Sequence, residues 1–535
     1  MTEAAPRAAR LPRRGARAPV GVVAAAIPVC ALLALPVAYL AIRAAGAEAS
    51  SWDLILRPRT VWLAARTAGL TLAVTTGAIA LGVPMAWLTT RTDLPFRRAW
   101  AVLGALPLVI PSYVGAFTLL SFLGPRGLLR QILGVERLPD ISGFPGALLA
   151  LTLFTFPYVY LTTAAAIRGL DPALEDAARG LGHSRWTTFR RVTLPLLRPS
   201  IGAGALLAAL YTLHDFGAVS LMRFPVFTQA IYLQYRAAFD RTPAAILSLF
   251  LVAMALVVVW LERRARGRAL LYRTEAGTPR PPSRIALGRW RGPALAFCTL
   301  VVLTSLVLPV GVLVYWLVRG IQAGQEIGAP WRAMLSSMSA SGGGAVLAVT
   351  AALPIAILAA RHRGLAEAPA RLAYAAFALP GIVVALAFVF FAANVTPALY
   401  QTLPLLVLAY VVLFLPQAGE PLRGSLLQIN ERIEEAGRSL GHGRFAVFRR
   451  LTLPLVARGA LAGFGLVFLT AMKELPATLL LRPTGFETLA TRVWTHASVA
   501  QYARAAAPAL LLLAVSALPL WLVARRLEVQ EVRKE

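Results

Sequence analysis

Long uncharged, apolar runs alternate with short arginine-bearing segments along the whole chain, and most of the runs fall in one length class. A bilayer core needs roughly 20 apolar residues per helix, and about twelve stretches meet that measure. The earlier ones are Val20 to Ile42, Thr67 to Thr89, Trp100 to Phe122, Gly146 to Ala166, Ile201 to Leu221 and Ala244 to Leu261. The later ones are Ala294 to Val318, Gly344 to Ala360, Leu372 to Ala393, Leu403 to Leu415, Gly459 to Leu480 and Ala507 to Val523. The first is too long, and too far from an A-x-A site, for a cleaved signal peptide, so it reads as a membrane helix.

Composition agrees with that pattern. The chain is 58% hydrophobic and 14% charged, outside the range of soluble domains. Its net charge of +29 would point to nucleic acid in a soluble protein. Here the arginines sit between apolar runs, and no basic patch is interleaved with aromatics, so nucleic acid is excluded as a partner. The cysteines, Cys30 and Cys298, lie inside apolar runs and read as small buried hydrophobes, with neither disulfide nor metal spacing.

Arginine position orients the chain. Arg7, Arg10, Arg13, Arg14 and Arg17 precede the first run and place the amino terminus in the cytoplasm. About six crossings later, Glu262 to Arg291 is again arginine-rich and contains the stiff segment Gly277 to Pro282. Arg525, Arg526, Arg533 and Lys534 put the carboxyl terminus on the same side. The expected fold is all-α and integral to the membrane, with two parallel repeats of about six transmembrane helices. The expected boundaries are a first half over 1–262 (core about 64–262), a cytoplasmic linker over 263–291, and a second half over 292–535 (core about 336–525).

The halves share a polar passage. Glu175-Asp176-Ala177-Ala178-Arg179-Gly180-Leu181-Gly182-His183 returns about 259 positions later as Glu434-Glu435-Ala436-Gly437-Arg438-Ser439-Leu440-Gly441-His442. Phe189-Arg190-Arg191-Val192-Thr193-Leu194-Pro195 likewise returns as Phe448-Arg449-Arg450-Leu451-Thr452-Leu453-Pro454. Roughly 14 of 25 aligned positions are identical, beyond what shared apolar composition gives. Small residues at Ala177, Ala178, Ala436 and Gly437 let a partner approach a short helix closely. Gly182 and Gly441 can take the left-handed conformation that ends it, and Pro195 and Pro454 suit the first turn of the next helix.

The spacing resembles the EAA loop of ABC importer permeases: an acid, two small residues, three others, Gly, nine others, then aliphatic-x-Leu-Pro. Asp176-Ala177-Ala178 with Gly182 fits it, as does Glu435-Ala436-Gly437 with Gly441. Asp176 stands where Glu is usual, and Gly437 stands for Ala, which weakens that helix by roughly 1 kcal/mol. The resemblance implies the type I (MetI-like) importer fold. It also implies coupling helices that dock on two copies of an ABC ATPase, and a periplasmic or lipoprotein substrate-binding protein. Glu175 and Glu434 belong to the same loops. The implied place is the bacterial inner membrane, with both termini cytoplasmic. Neither of the two lysines, Lys473 and Lys534, follows Gly in a phosphate-binding G-K-[ST], so a Walker A loop is absent from this sequence. No cofactor is expected on this chain, ATP and magnesium belonging to the ATPase, and no enzymatic activity is expected of it.

For substrate, Lys473 to Pro483, Asp215-Phe216-Gly217 and Ile110-Pro111-Ser112-Tyr113-Val114 look like the ferric-iron permeases, which are also fused two-half chains. Permeases for thiamine, aminoalkylphosphonate, polyamine or sulfate share much of the pattern. At the repeat offset His214-Asp215 aligns with Lys473-Glu474. Each pair falls about 15 residues, or roughly 22 Å, into the apolar segment after its loop. Such groups face a partner or water rather than lipid. Two readings stand: an ion pair between the halves, such as Asp215 with Lys473, or a polar constriction on the transport path. Carboxylates suit a hard cation, yet no closed ligand set is visible and the metal ligands are unknown. A proton-coupled secondary transporter with Asp215 or Glu474 as carrier remains a remote alternative, but it has no need of twin loops.

Overall fold

A computed structural model describes residues 19–48, 52–53, 57–125, 127–237, 242–266, 284–326, 328, 330–362, 368–376 and 378–532. The arginines at 7–17, most of the linker (267–283), Arg533 and Lys534 lie outside the described residues. Among the described residues nine helices are long and apolar enough to cross a membrane, and eleven if each of two bent pairs is one span. The twelfth expected span falls within Tyr502–Val532, whose stretch Tyr502–Ala517 is apolar but shorter.

Three expected features are corrected. Trp100 to Phe122 and Leu372 to Ala393 are not straight spans. They are pairs of helices bent by 98° and 104°, broken ahead of Pro111 and Pro380. Proline disfavours helical backbone in the residue before it, and both prolines take φ −62° and ψ 143°. Leu403 to Leu415 is too short a reading: the helix runs Leu403–Gln428 with Pro416 and Pro421 inside it. In a membrane helix, neighbours and local adjustments satisfy the backbone groups that proline frees. The segments after the loops end early, at His214 and Met472, and short helices Gly217–Leu221 and Pro476–Leu481 follow each break. The His214 and Lys473 pairs therefore sit at helix breaks, not within helices.

Packing groups the chain into two units, each drawn from two stretches: Met1–Ala45 with Leu335–Glu487, and Gly46–Met334 with Thr488–Glu535. The Val20–Ala45 helix thus belongs with the later core, and the helices of 288–322 with the earlier one. In the Gly46–Met334 unit, Pro58–Arg91 packs on Phe144–Arg168, and Leu194–His214 on both. Gly82 makes this contact close, since a Cβ there would meet Tyr160 N at 2.8 Å and Phe156 O at 2.9 Å. Lipid tails are as apolar as leucine, so close van der Waals packing of this kind is what holds membrane helices together. Cys298 is fully buried in the same core, beside Met85 and Tyr160, whereas Cys30 is only half-buried; both thiols are free.

Candidate functional site

Each repeated passage folds into a short helix, a glycine stop and a π turn leading into a long apolar helix. Asp171 opens the first helix, Pro172–Gly180, by accepting a hydrogen bond from the Ala173 N–H. At its end Gly182 has φ +85°. The His183 N–H donates to Ala178 C=O at 3.2 Å and the Gly182 N–H to Arg179 C=O at 2.9 Å. The second helix, Glu431–Ser439, ends alike: Gly441 has φ +82°, with His442 donating to Gly437 at 3.3 Å and Gly441 to Arg438 at 3.0 Å. These two bonds at each stop form a Schellman arrangement, which needs a residue tolerant of positive φ.

The acidic pairs divide between inward and outward faces. Asp176 and Ala177 are exposed, and so are Glu435 and Ala436. Glu175, Ala178 and Gly437 are buried, and Glu434 is half-buried. The Glu175 carboxylate is held by Arg91, the last residue of Pro58–Arg91, whose side chain is 2% exposed. It also accepts a hydrogen bond from Thr193 Oγ1 at 2.8 Å. The later unit repeats the arrangement: Arg361 ends Pro330–Arg361 and donates to Glu434 at 3.0 Å, and Thr452 Oγ1 donates to the same carboxylate at 3.0 Å. Thr193 and Thr452 each close a five-residue π turn, Phe189–Thr193 and Phe448–Thr452. The extra residue in a π turn re-aims the side chains that follow it, a feature often found at functional positions.

The sequence motif puts its acid at Asp176 and Glu435, whereas the locks are made by the residue before each, Glu175 and Glu434. A signal was present, because Glu175 and Thr193 are identical to their aligned partners while Asp176 is not. Also missed were apolar side chains on the outward faces. Leu181 and Leu440 are 80% and 79% exposed, with Leu174 and Ile433 exposed at the other end of each helix.

The intramembrane acids occupy the helix breaks. Asp215 is buried, accepting from Ser112 Oγ, from the Val219 N–H at 3.1 Å and from the Ala218 N–H. Glu474 is half-buried, accepting from the N–H groups of Ala477 (3.2 Å) and Thr478. Each acid thereby caps the short helix after its break. His214 and Lys473 are half-buried beside them. Among the described residues no three or more His, Cys, Asp or Glu side chains gather as a metal-holding group.

Phe144–Arg168 runs toward the first repeated helix, Pro172–Gly180, and its Phe144 end lies at the far end from it. There a cavity of about 650 Å³ is lined by Asp140, Ser142, Arg223, Gln229, Tyr232 and Trp494, among others. The Ser142 hydroxyl (2.5 Å) and N–H (2.8 Å) donate to Asp140 and hold its carboxyl below the ordinary carboxylate value, with Arg223 assisting.

Residues 78–268 and 352–527 match the family model of binding-protein-dependent transport system inner membrane components. The chain belongs to that family. As a permease of the inner membrane it works with an ATPase and a substrate-binding protein. The Fe(3+)-transport system permease protein FbpB 2 of Haemophilus influenzae is 37% identical over 503 residues, covering 93% of this chain and 96% of that one. The molybdenum transport system permease protein ModB of Escherichia coli is 33% identical over 208 residues, 36% of this chain and 89% of its own. The sulfate transport system permease protein CysT of Salmonella typhimurium is 31% identical over 194 residues, 36% of this chain and 69% of its own.

Proposed function

We propose that this permease imports ferric iron, released to it by an extracytoplasmic binding protein, with ATP hydrolysed on two copies of a separate ATPase. The near full-length likeness to an iron permease carries the substrate, since the molybdenum and sulfate relatives cover only about a third of the chain. Arginine distribution supports cytoplasmic termini and coupling loops, which leaves the cavity around Asp140 and Arg223 on the side that receives cargo.

The coupling helices would work through their two faces. Leu174, Asp176, Ala177 and Leu181 in the first, and Ile433, Glu435, Ala436 and Leu440 in the second, meet the ATPase. Glu175 and Glu434, clamped by arginine and threonine, carry the displacement into the chain's own helices. No cofactor resides on this chain; ATP and magnesium sit on the partner, and iron is cargo.

The test pairs native mass measurement with uptake in proteoliposomes. One permease per two ATPases, and ATP-dependent uptake of radioactive iron rather than sulfate or molybdate, are the expected results. Two permease chains per complex would remove the fused-halves reading, and uptake of sulfate or molybdate in preference would replace iron with an oxyanion.

A further inference from the structure

The helices that follow the two coupling loops are fastened at both ends. Leu194–His214 has 21 residues and so spans about 31 Å. At one end it continues from Thr193, bonded to Glu175 of the coupling helix. At the other it stops at Asp215, bonded to Ser112, the first residue after the break at Pro111. Leu453–Met472 is bonded likewise at one end, through Thr452 to Glu434, and at its other end Glu474 packs directly against Gly381.

At the far ends the halves solve one spatial problem in two ways. Ser112 and Gly381 hold the same place, each directly after a proline with matching backbone angles. The shorter acid, Asp215, meets a serine that donates to it. The longer acid, Glu474, meets a glycine whose missing Cβ leaves room, because a Cβ there would collide with Glu474 Oε1. Short acid with side chain, and long acid without one, fill comparable space.

We propose that Asp215 with Ser112, and Glu474 with Gly381, are latches that transmit coupling-helix movement along these two helices to the proline-broken helices Ser112–Leu123 and Gly381–Asn394. Asp215 and Glu474 are then positioning residues rather than cargo ligands. They cap the short helices after the break and fix them against the start of the broken helix. The role assigned to the latches rests on the ATP-driven reading above; their existence does not.

The test is a reciprocal exchange in the full chain. Asp215→Glu alone puts the longer acid against Ser112, while Ser112→Gly with Asp215→Glu installs the second half's pairing. Melting of the purified permease should show strong coupling between the two changes, and additive losses would overturn the latch whether or not the protein couples to ATP. In complexes reconstituted with ATPase and iron-loaded binding protein, Asp215→Glu should raise ATP hydrolysed per iron imported by about tenfold, the scale of overpacking one buried position. The double variant should return to near the wild-type ratio. An unchanged ratio in Asp215→Glu, or a double variant as wasteful as the single, would overturn the transmission role. If Asp215→Glu does not accumulate, Glu474→Asp opens a gap instead of a clash, and Gly381→Ser should refill it with the same two readouts. A wild-type complex that imports nothing with ATP would overturn the transport reading, and melting alone then decides the latch.

Discussion

Gly437 lies so close to Leu451 that a Cβ on the glycine would sit 2.8 Å from the leucine Cδ1, and 3.2 Å from Val447 Cγ2. The aligned residues of the first repeat are Ala178, Val192 and Thr188, a larger helix residue opposite smaller neighbours. The glycine that weakens the Glu431–Ser439 helix by propensity is thus matched to bulk on the adjoining turn. Gly437→Ala should gain about 1 kcal/mol of helix propensity and lose a similar amount to crowding. Adding Leu451→Val should relieve the crowding and raise the melting temperature above that of Gly437→Ala. Equal melting of the two variants would show that the leucine simply turns aside.

The carboxylate locks should differ in strength. Arg91 and Glu175 are 2% and 10% exposed at the side chain, against 13% and 26% for Arg361 and Glu434. Removing one partner of a buried pair strands the other, so Glu175→Gln should cost about 3–5 kcal/mol, with a marked fall in membrane abundance. Glu434→Gln, partly screened by solvent, should cost only about 1 kcal/mol. Arg91→Met with Glu175→Leu should recover most of the loss in melting temperature. Equal effects at both locks would contradict the burial argument.

The glycine stops separate backbone strain from docking. Nothing lies within 4 Å of a Cβ built on Gly182 or Gly441, so only positive φ opposes substitution within this chain. Asparagine tolerates that region and valine does not. Gly182→Asn should therefore melt within about 1 kcal/mol of the parent, and Gly182→Val clearly lower. If the stop also allows close approach of the ATPase, Gly182→Asn will fold but bind the ATPase more weakly in a pull-down. Full binding by the asparagine variant would confine the glycine to a conformational role.

The outward leucines should matter for assembly and little for folding. Leu181→Asp and Leu440→Asp place a charge where an apolar side chain is more than three-quarters exposed, so melting of the isolated permease should hardly move. Affinity for the ATPase should fall by about tenfold or more, because a desolvated charge would face the partner groove. Undiminished binding in both variants would remove these residues from the docking face.

Much of this arrangement was readable from the sequence, because span length and arginine placement are composition-level signals that the bilayer imposes along the whole chain. The repeated loops were readable because they are polar passages that occur twice. The breaks at Pro111, Pro380, Asp215 and Glu474 were not. An apolar run looks continuous whether the helix bends or not, and Pro416 and Pro421 show that proline alone does not decide it. The locks were hidden for a different reason. Arg91 and Glu175 meet from distant parts of the chain, and local pattern cannot pair them.

The linker between the sequence halves has an end that is tied down. Ile285 exchanges backbone hydrogen bonds with Arg91 (2.8 Å) and Asp93 (3.2 Å), and the Leu287 N–H reaches the Asp93 carboxylate at 2.9 Å. Helices of 288–322 pack in the same unit as those residues, while the opening helix, Val20–Ala45, packs with the later core. A cut within 267–283 would therefore yield two polypeptides: the earlier lends Val20–Ala45 to the body built mainly from the later, and the later lends the helices of 288–322, Leu489–Ala497 and Tyr502–Val532 to the body built mainly from the earlier. Such fragments are interlaced by construction. Encoding them as two separate reading frames would preserve one molecule, but neither product alone would hold a complete interior.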